Sequence, residues 1–166
     1  NPSTLKSLNF SEGLLVSFFQ STTLRTAGFA SVDMGSLYDS TKLFMSVLMF
    51  IGGSPAGTAG GIKTMTFVII VLYISSLMKG YQNIHIFRRT INDRIVKSAL
   101  TITIVSFLIS ILALFLLTIS EEASFIDLIF EVYSAFGTVG LSAALTPVLT
   151  DFGKIIVSYK PVQPLK

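Results

Sequence analysis

Residues 99–119 read ALTITIVSFLISILALFLLTI, an apolar run without a charge, a glycine or a proline. At a rise of about 1.5 Å per residue, a helix of this length covers about 30 Å, the thickness of the hydrocarbon core of a bilayer. The alternative is a buried helix of a large soluble protein, and the composition argues against it. Only 13% of residues are charged and 51% are hydrophobic, whereas an average soluble domain carries roughly 25% charged residues. The run is expected to be a transmembrane helix.

A second apolar stretch, residues 43–78, is longer and interrupted near its middle by GGSPAGTAGG. Its halves, 43–51 and 66–77, are each too short to span as straight helices, and together they are too long for one perpendicular crossing. Glycine and proline inside a membrane helix free backbone groups that need other partners, so a broken crossing is expected here. A glycine-rich loop also suggests phosphate binding. The phosphate-loop pattern, however, needs lysine directly after glycine, and Ile62 separates Gly61 from Lys63. A nucleotide-hydrolysing enzyme is set aside on that ground. The absence of cysteine excludes disulfides, thiolate zinc sites and cysteine nucleophiles, and the single histidine, His85, reads as a solvated loop residue.

Two shorter apolar stretches, 12–24 and 125–136, have the length of re-entrant helices that enter a membrane and turn back, although a core helix has the same length. Charge gives an orientation. Lys79, Arg88, Arg89, Arg94 and Lys97 stand against one acid, Asp93, so the loop 79–97 is expected on the cytoplasmic side. The other acids, Glu12, Asp33, Asp39, Glu121, Glu122, Asp127, Glu131 and Asp151, fall near the two short stretches and their following loops, on the opposite side. An acidic outer face concentrates cations and disfavours anions. Nucleic acid as a partner of the basic loop is set aside, because the loop lies between two membrane segments.

The chain also repeats itself. When it is slid along itself, Thr26-Ala27-Gly28-Phe29 falls on Thr138-Val139-Gly140-Leu141, Phe18 on Phe130, and the D-x-x-K of Asp39 and Lys42 on that of Asp151 and Lys154. The register is read as free of gaps. Each unit would be a membrane helix, a short re-entrant helix, a T-x-G turn and a second membrane helix. A short helix followed by an extended glycine turn suits an ion-selectivity filter, in which backbone carbonyls replace a cation's hydration shell. Glycine supplies dihedrals that a Cβ would forbid. About four such strands enclose an ion, so two imply further repeats or an assembly.

At these residues, STTLRTAGF (21–29), IGGSPAGTAGGIKT (51–64) and SAFGTVGLS (134–142), the chain resembles the Trk/Ktr/HKT superfamily of potassium transporters. The resemblance extends over about residues 10–156 and is closest to the Ktr type. It implies four helix–pore-loop–helix repeats around one pore, of which this chain would hold the third and part of the fourth. It also implies a selectivity filter at Thr26, Ala27, Gly28, Thr138, Val139 and Gly140, with potassium at the filter carbonyls. The glycine-rich break, with Gly52, Gly53, Ser54, Pro55, Gly57, Thr58, Gly60, Gly61 and Lys63, would be the intramembrane gating loop. A homodimer, a cytoplasmic nucleotide-binding regulatory ring and sodium as a stimulating ion are implied in the same way.

The expected organisation is an all-α membrane protein in the cell membrane. Residues 10–78 would form a pore loop and broken second helix, 79–97 a cytoplasmic loop, 98–160 the next repeat as far as the start of its last helix, and 161–166 a truncated tail. The polar start without methionine and the abrupt end SYKPVQPLK read as those of a fragment. Arg25 is expected to strut the filter loop by an ion pair, and Glu131 to support the filter. Lys63 would tether the gating loop, repel a cation or snorkel to the interface. Lys42 and Lys154 are expected to snorkel. The leading function is potassium uptake across the bilayer, with no covalent chemistry; an ion-coupled solute transporter with discontinuous helices is the alternative.

Overall fold

A computed structural model describes residues 9–25, 27–54, 60–80, 85–86 and 89–158. Six helices follow in chain order: α1 Phe10–Thr23, α2 Asp39–Phe50, α3 Thr64–Met78, α4 Asp93–Ser120, α5 Phe125–Phe136 and α6 Asp151–Ser158. Two antiparallel strands of two residues each, β1 His85–Ile86 and β2 Arg89–Thr90, lie between α3 and α4. Among the described residues the regular structure is otherwise helical, and α5 is its centre, packed against α2, α4 and α6.

The expected elements form for identifiable reasons. The backbone N–H of Asn9 donates to the carboxylate of Glu12 at 3.1 Å, which fastens the first turn of α1. α4 begins earlier than expected: the Asn92 side chain accepts from the Arg94 N–H at 2.9 Å, so helix starts at Asp93. Residues 93–97 therefore belong to the helix and not to the basic loop. Within α4 the hydroxyls of Thr101, Thr103, Ser110 and Thr118 donate to carbonyls of the preceding turn. Beyond its charged first turns, that leaves α4 with a largely apolar exterior, which suits a non-aqueous surround. Among the described residues it is the one helix long and apolar enough to cross a membrane, and only 11% of its most apolar window is buried.

α2 and α3 are the two halves of the interrupted stretch. α2 stops at Phe50, and its last carbonyl and that of Gly53 beyond it are taken up across the break. Ile62 N–H donates to Phe50 O at 3.0 Å and Thr64 N–H to Gly53 O at 3.3 Å, with Ile51 and Ile62 forming a parallel bridge. The break is thus closed at a neck. The Phe50 ring sits edge-on to Tyr133 at 5.4 Å and packs on Phe136 at 5.6 Å, so the end of α2 is anchored to α5.

The main core gathers Leu24, Met34, Met45, Met49, Phe130, Val139, Leu141 and Ala143 around the ends of the two short helices. A second cluster, Leu117, Leu128 and Val132, seals α4 onto α5. A charge pair also joins α2 to α5. Lys42 is buried on α2 and its Nζ sits 2.6 Å from Asp127 Oδ1 in the first turn of α5. The expectation that Lys42 snorkels is overturned, because its ammonium finds a carboxylate inside the fold. Lys154, its repeat counterpart, is exposed and pairs with Asp151 at 3.5 Å within α6.

Asp127→Asn would strand a buried ammonium, a change that costs about 3 kcal/mol or more. Its melting temperature in detergent should fall by several degrees. The double variant Lys42→Met/Asp127→Leu should recover most of the loss. Equal losses in the single and double variants would show that a stranded ammonium is not the cause of the loss.

Candidate ion pathway

The two T-x-G turns follow the C-terminal ends of α1 and α5, where unpaired carbonyls and the helix dipole carry partial negative charge. Gly28 has φ +74° and Gly140 has φ +85°, both in the left-handed region that disfavours a side chain. The turns touch each other. A Cβ at Gly28 would fall on the carbonyl oxygen of Val139, so the contact requires glycine twice over. A Cβ at Gly140 would meet open space, and there the dihedral alone sets the requirement. Val139 is buried beneath the contact, whereas Ala27, Thr138 and Gly140 are exposed. Thr26 lies outside the described residues.

Each turn is held by two polar posts on its own short helix. Thr23 Oγ1 donates to Phe29 O at 2.8 Å and accepts from Phe29 N–H at 2.9 Å. Ser134 Oγ donates to Leu141 O in the second unit. Deeper in each helix, Gln20 Oε1 accepts from the Ser31 hydroxyl at 3.1 Å, and Glu131 Oε1 accepts from the Ser142 hydroxyl. Thr146 Oγ1 lies 3.2 Å from both oxygens of Glu131, which is buried. The deep posts reach residues 11 positions ahead in both units. The hydroxyl posts span 6 positions in the first unit and 7 in the second. The gap-free register is therefore corrected: the second turn has one more residue between post and glycine. Thr138, at φ 53°, sits inside that longer turn.

The neck of the α2–α3 break lies against the second turn. Gly60 N–H donates to Thr138 Oγ1 at 2.9 Å, and Gly61 N–H donates to Phe136 O at 3.2 Å. A Cβ at Gly60 would lie 2.8 Å from the Gly137 carbonyl, and one at Gly137 would lie 2.7 Å from Met49 O. Gly52 and Gly53 are buried in the neck, Ser54 is exposed, and Gly61 has φ +71°. Lys63 is half-buried and occupies the N-cap position of α3. Pro55, Gly57 and Thr58 lie outside the described residues.

Glu131, Gly28, Val139, Gly140, Gly60 and Gly61 are thus gathered around the ends of α1, α2 and α5. Arg25 is not part of the group: it is exposed, and among the described residues no carboxylate pairs with it. Thr23, Gln20, Ser31, Ser134 and Ser142 were not singled out from the sequence. The matching spacing of Gln20 to Ser31 and Glu131 to Ser142 was the signal that marks them. Around the turns the donors are backbone carbonyls and hydroxyls, oxygen ligands that suit a hard cation.

The family model TrkH, described as a cation transport protein, matches residues 1–160. The chain is 46% identical over 157 residues to the Ktr system potassium uptake protein B of Bacillus subtilis, covering 95% of this chain and 35% of that protein. It is 40% identical over 144 residues to the Ktr system potassium uptake protein D of the same organism, covering 87% of this chain and 32% of that protein. It is 40% identical over 161 residues to the potassium/sodium uptake protein NtpJ of Enterococcus hirae, covering 95% of this chain and 36% of that protein. The chain therefore spans about a third of the length of these relatives.

The glycine contacts separate two substitutions of the same kind. Gly60→Ala should lower the melting temperature by several degrees, because the new methyl meets the Gly137 backbone at the end of α5. Gly13→Ala, on α1 with nothing within 4 Å of the new methyl, should stabilise by about 0.5–1 kcal/mol. A melt in which both alanines act alike would contradict the close backbone packing at the neck.

Proposed function

This chain belongs to the TrkH family of cation transport proteins, and on that premise we propose that it forms part of the pore of a potassium uptake protein. The contact between the two glycine turns carries the reading. Each turn follows the C-terminal end of a short helix, each has its glycine at positive φ, and Gly28 lies against the Val139 carbonyl. In this reading α1 and α5 are re-entrant pore helices, α4 crosses the bilayer, α2 and α3 form the broken crossing, and α6 begins the last helix. The exposed apolar surface of α4 faces lipid. The names of the relatives, potassium uptake proteins and a potassium/sodium uptake protein, support the choice of ion.

Cations enter from the acidic outer side and exchange water for the carbonyls of Thr26, Ala27, Gly28, Thr138, Val139 and Gly140. The negative ends of the α1 and α5 dipoles favour a cation there. Thr23, Ser134, Gln20 and Glu131 hold the turns at a fixed width, and Glu131 fills its carboxylate with hydroxyl partners from beyond the filter. Below the filter lies the gate, the neck formed by Gly52, Gly53, Ser54, Gly60, Gly61 and Lys63; Pro55, Gly57 and Thr58 of the same stretch are assigned to it by sequence alone. Lys63 stands at the N-terminus of α3, and its charge adds to the positive end of that helix dipole. The two together raise the barrier to a cation at the closed neck.

Two turns make half of a four-strand enclosure, so the remaining half comes from further repeats of the full-length subunit. That subunit works as a homodimer on a cytoplasmic nucleotide-binding ring, with the basic segment after α3 facing the cytoplasm and the turns facing outward. Sodium acts as a stimulating ion. Gly28→Ser in the full-length protein should relax potassium-over-sodium selectivity, read as competition of each ion with rubidium uptake into proteoliposomes. Unchanged selectivity would remove the filter assignment.

A further inference from the structure

The neck and the second turn are joined by hydrogen bonds that neither a filter nor a gate needs by itself. Gly60 N–H donates to the Thr138 hydroxyl at 2.9 Å, and Gly61 N–H to the last carbonyl of α5, Phe136 O, at 3.2 Å. Thr138 is a β-branched residue at φ 53°, a conformation such residues rarely hold without support. Its own N–H is fixed to Ala135 O at 3.0 Å, so the turn is pinned on the helix side and its hydroxyl faces the neck. Gly60 in turn lies flat on Gly137, with the Thr138 methyl over the place where a side chain would begin.

We infer that Thr138 is a positioning residue that couples the gate to the filter, its hydroxyl holding the neck while its carbonyl faces the ion. The inference rests on the filter and gate reading above. Withdrawal of the neck removes the hydrogen bond to Gly60 and the packing that holds Thr138 left-handed. The residue then relaxes towards the β region, which turns its peptide plane and moves a filter carbonyl. The reverse follows by linkage: an ion that fixes the turn also favours the seated neck. Because the one-residue-longer turn is the one that touches the neck, the second unit and not the first carries the coupling.

Three substitutions in the full-length protein, reconstituted in proteoliposomes, test it. Thr138→Val keeps the shape and removes the hydroxyl. It should raise basal rubidium flux and lower potassium-over-sodium selectivity, each several-fold, the size one hydrogen bond supports. Thr138→Ser restores the hydroxyl and should bring both back towards wild type. A valine variant with wild-type flux and selectivity, or a serine variant as altered as valine, would overturn the coupling. Gly28→Ser run in parallel separates the two ideas. If it leaves selectivity unchanged, the filter reading falls; if it relaxes selectivity while Thr138→Val does nothing, the coupling alone falls. Should the valine variant fail to fold, amide exchange in the unmodified protein decides. The Gly60 and Gly61 amides should exchange several-fold more slowly in potassium than in choline, and equal rates would overturn the inference.

Discussion

Backbone lying directly on backbone is the contact on which this molecule depends. Gly60 rests on Gly137, Gly61 on the carbonyls of Met49 and Phe50, Gly52 on Gly60, and Gly28 on Val139. At each of these glycines a Cβ would come within 3.0 Å of a backbone carbonyl oxygen. A helix interrupted in an apolar surround leaves unpaired N–H and C=O groups, which cost several kcal/mol each if nothing meets them. Here they meet one another across the break, through Phe50 O, Gly53 O and Phe136 O. Such pairing demands that the two sides of the neck and the end of α5 approach to hydrogen-bonding distance. The glycine content of the stretch follows from that approach more than from flexibility.

The polar interior obeys the same economy. Lys42 is buried opposite Asp127, Gln20 opposite Ser31, and Glu131 opposite Ser142 and Thr146. The hydroxyls of α4 turn back onto their own helix. Every one of these groups would be costly to leave unpartnered away from water. Their arrangement fixes the short helices in depth and rotation, with their negative ends at the glycine turns. The helix ends and the turns therefore form one electrostatic unit, set by the side chains that hold the turns.

Much of this was legible in the sequence, and what was missed has physical reasons. The apolar stretch 125–136 became α5 with the same bounds, and the glycine-rich stretch did fall between two helices. The start of α4 was misplaced because Asn92 caps the helix ahead of its apolar part. The Lys42–Asp127 pair joins residues 85 positions apart, and no local pattern announces it. The extra residue in the second turn was hidden by the doublet Phe18-Phe19, since either phenylalanine can be laid on Phe130. Arg25 illustrates the opposite case: a charge next to a glycine turn suggested an ion pair, and the side chain is exposed instead.

The central claim is that the two turns bind a dehydrated cation through their carbonyls, and anomalous scattering addresses it directly. Crystals of the full-length protein grown in rubidium or thallium should show a peak within coordination distance of the Ala27, Gly28, Val139 and Gly140 carbonyls, and the peak should vanish when the heavy ion is exchanged for sodium. Peaks found only elsewhere along the protein, or none at the turns at saturating rubidium, would contradict the account.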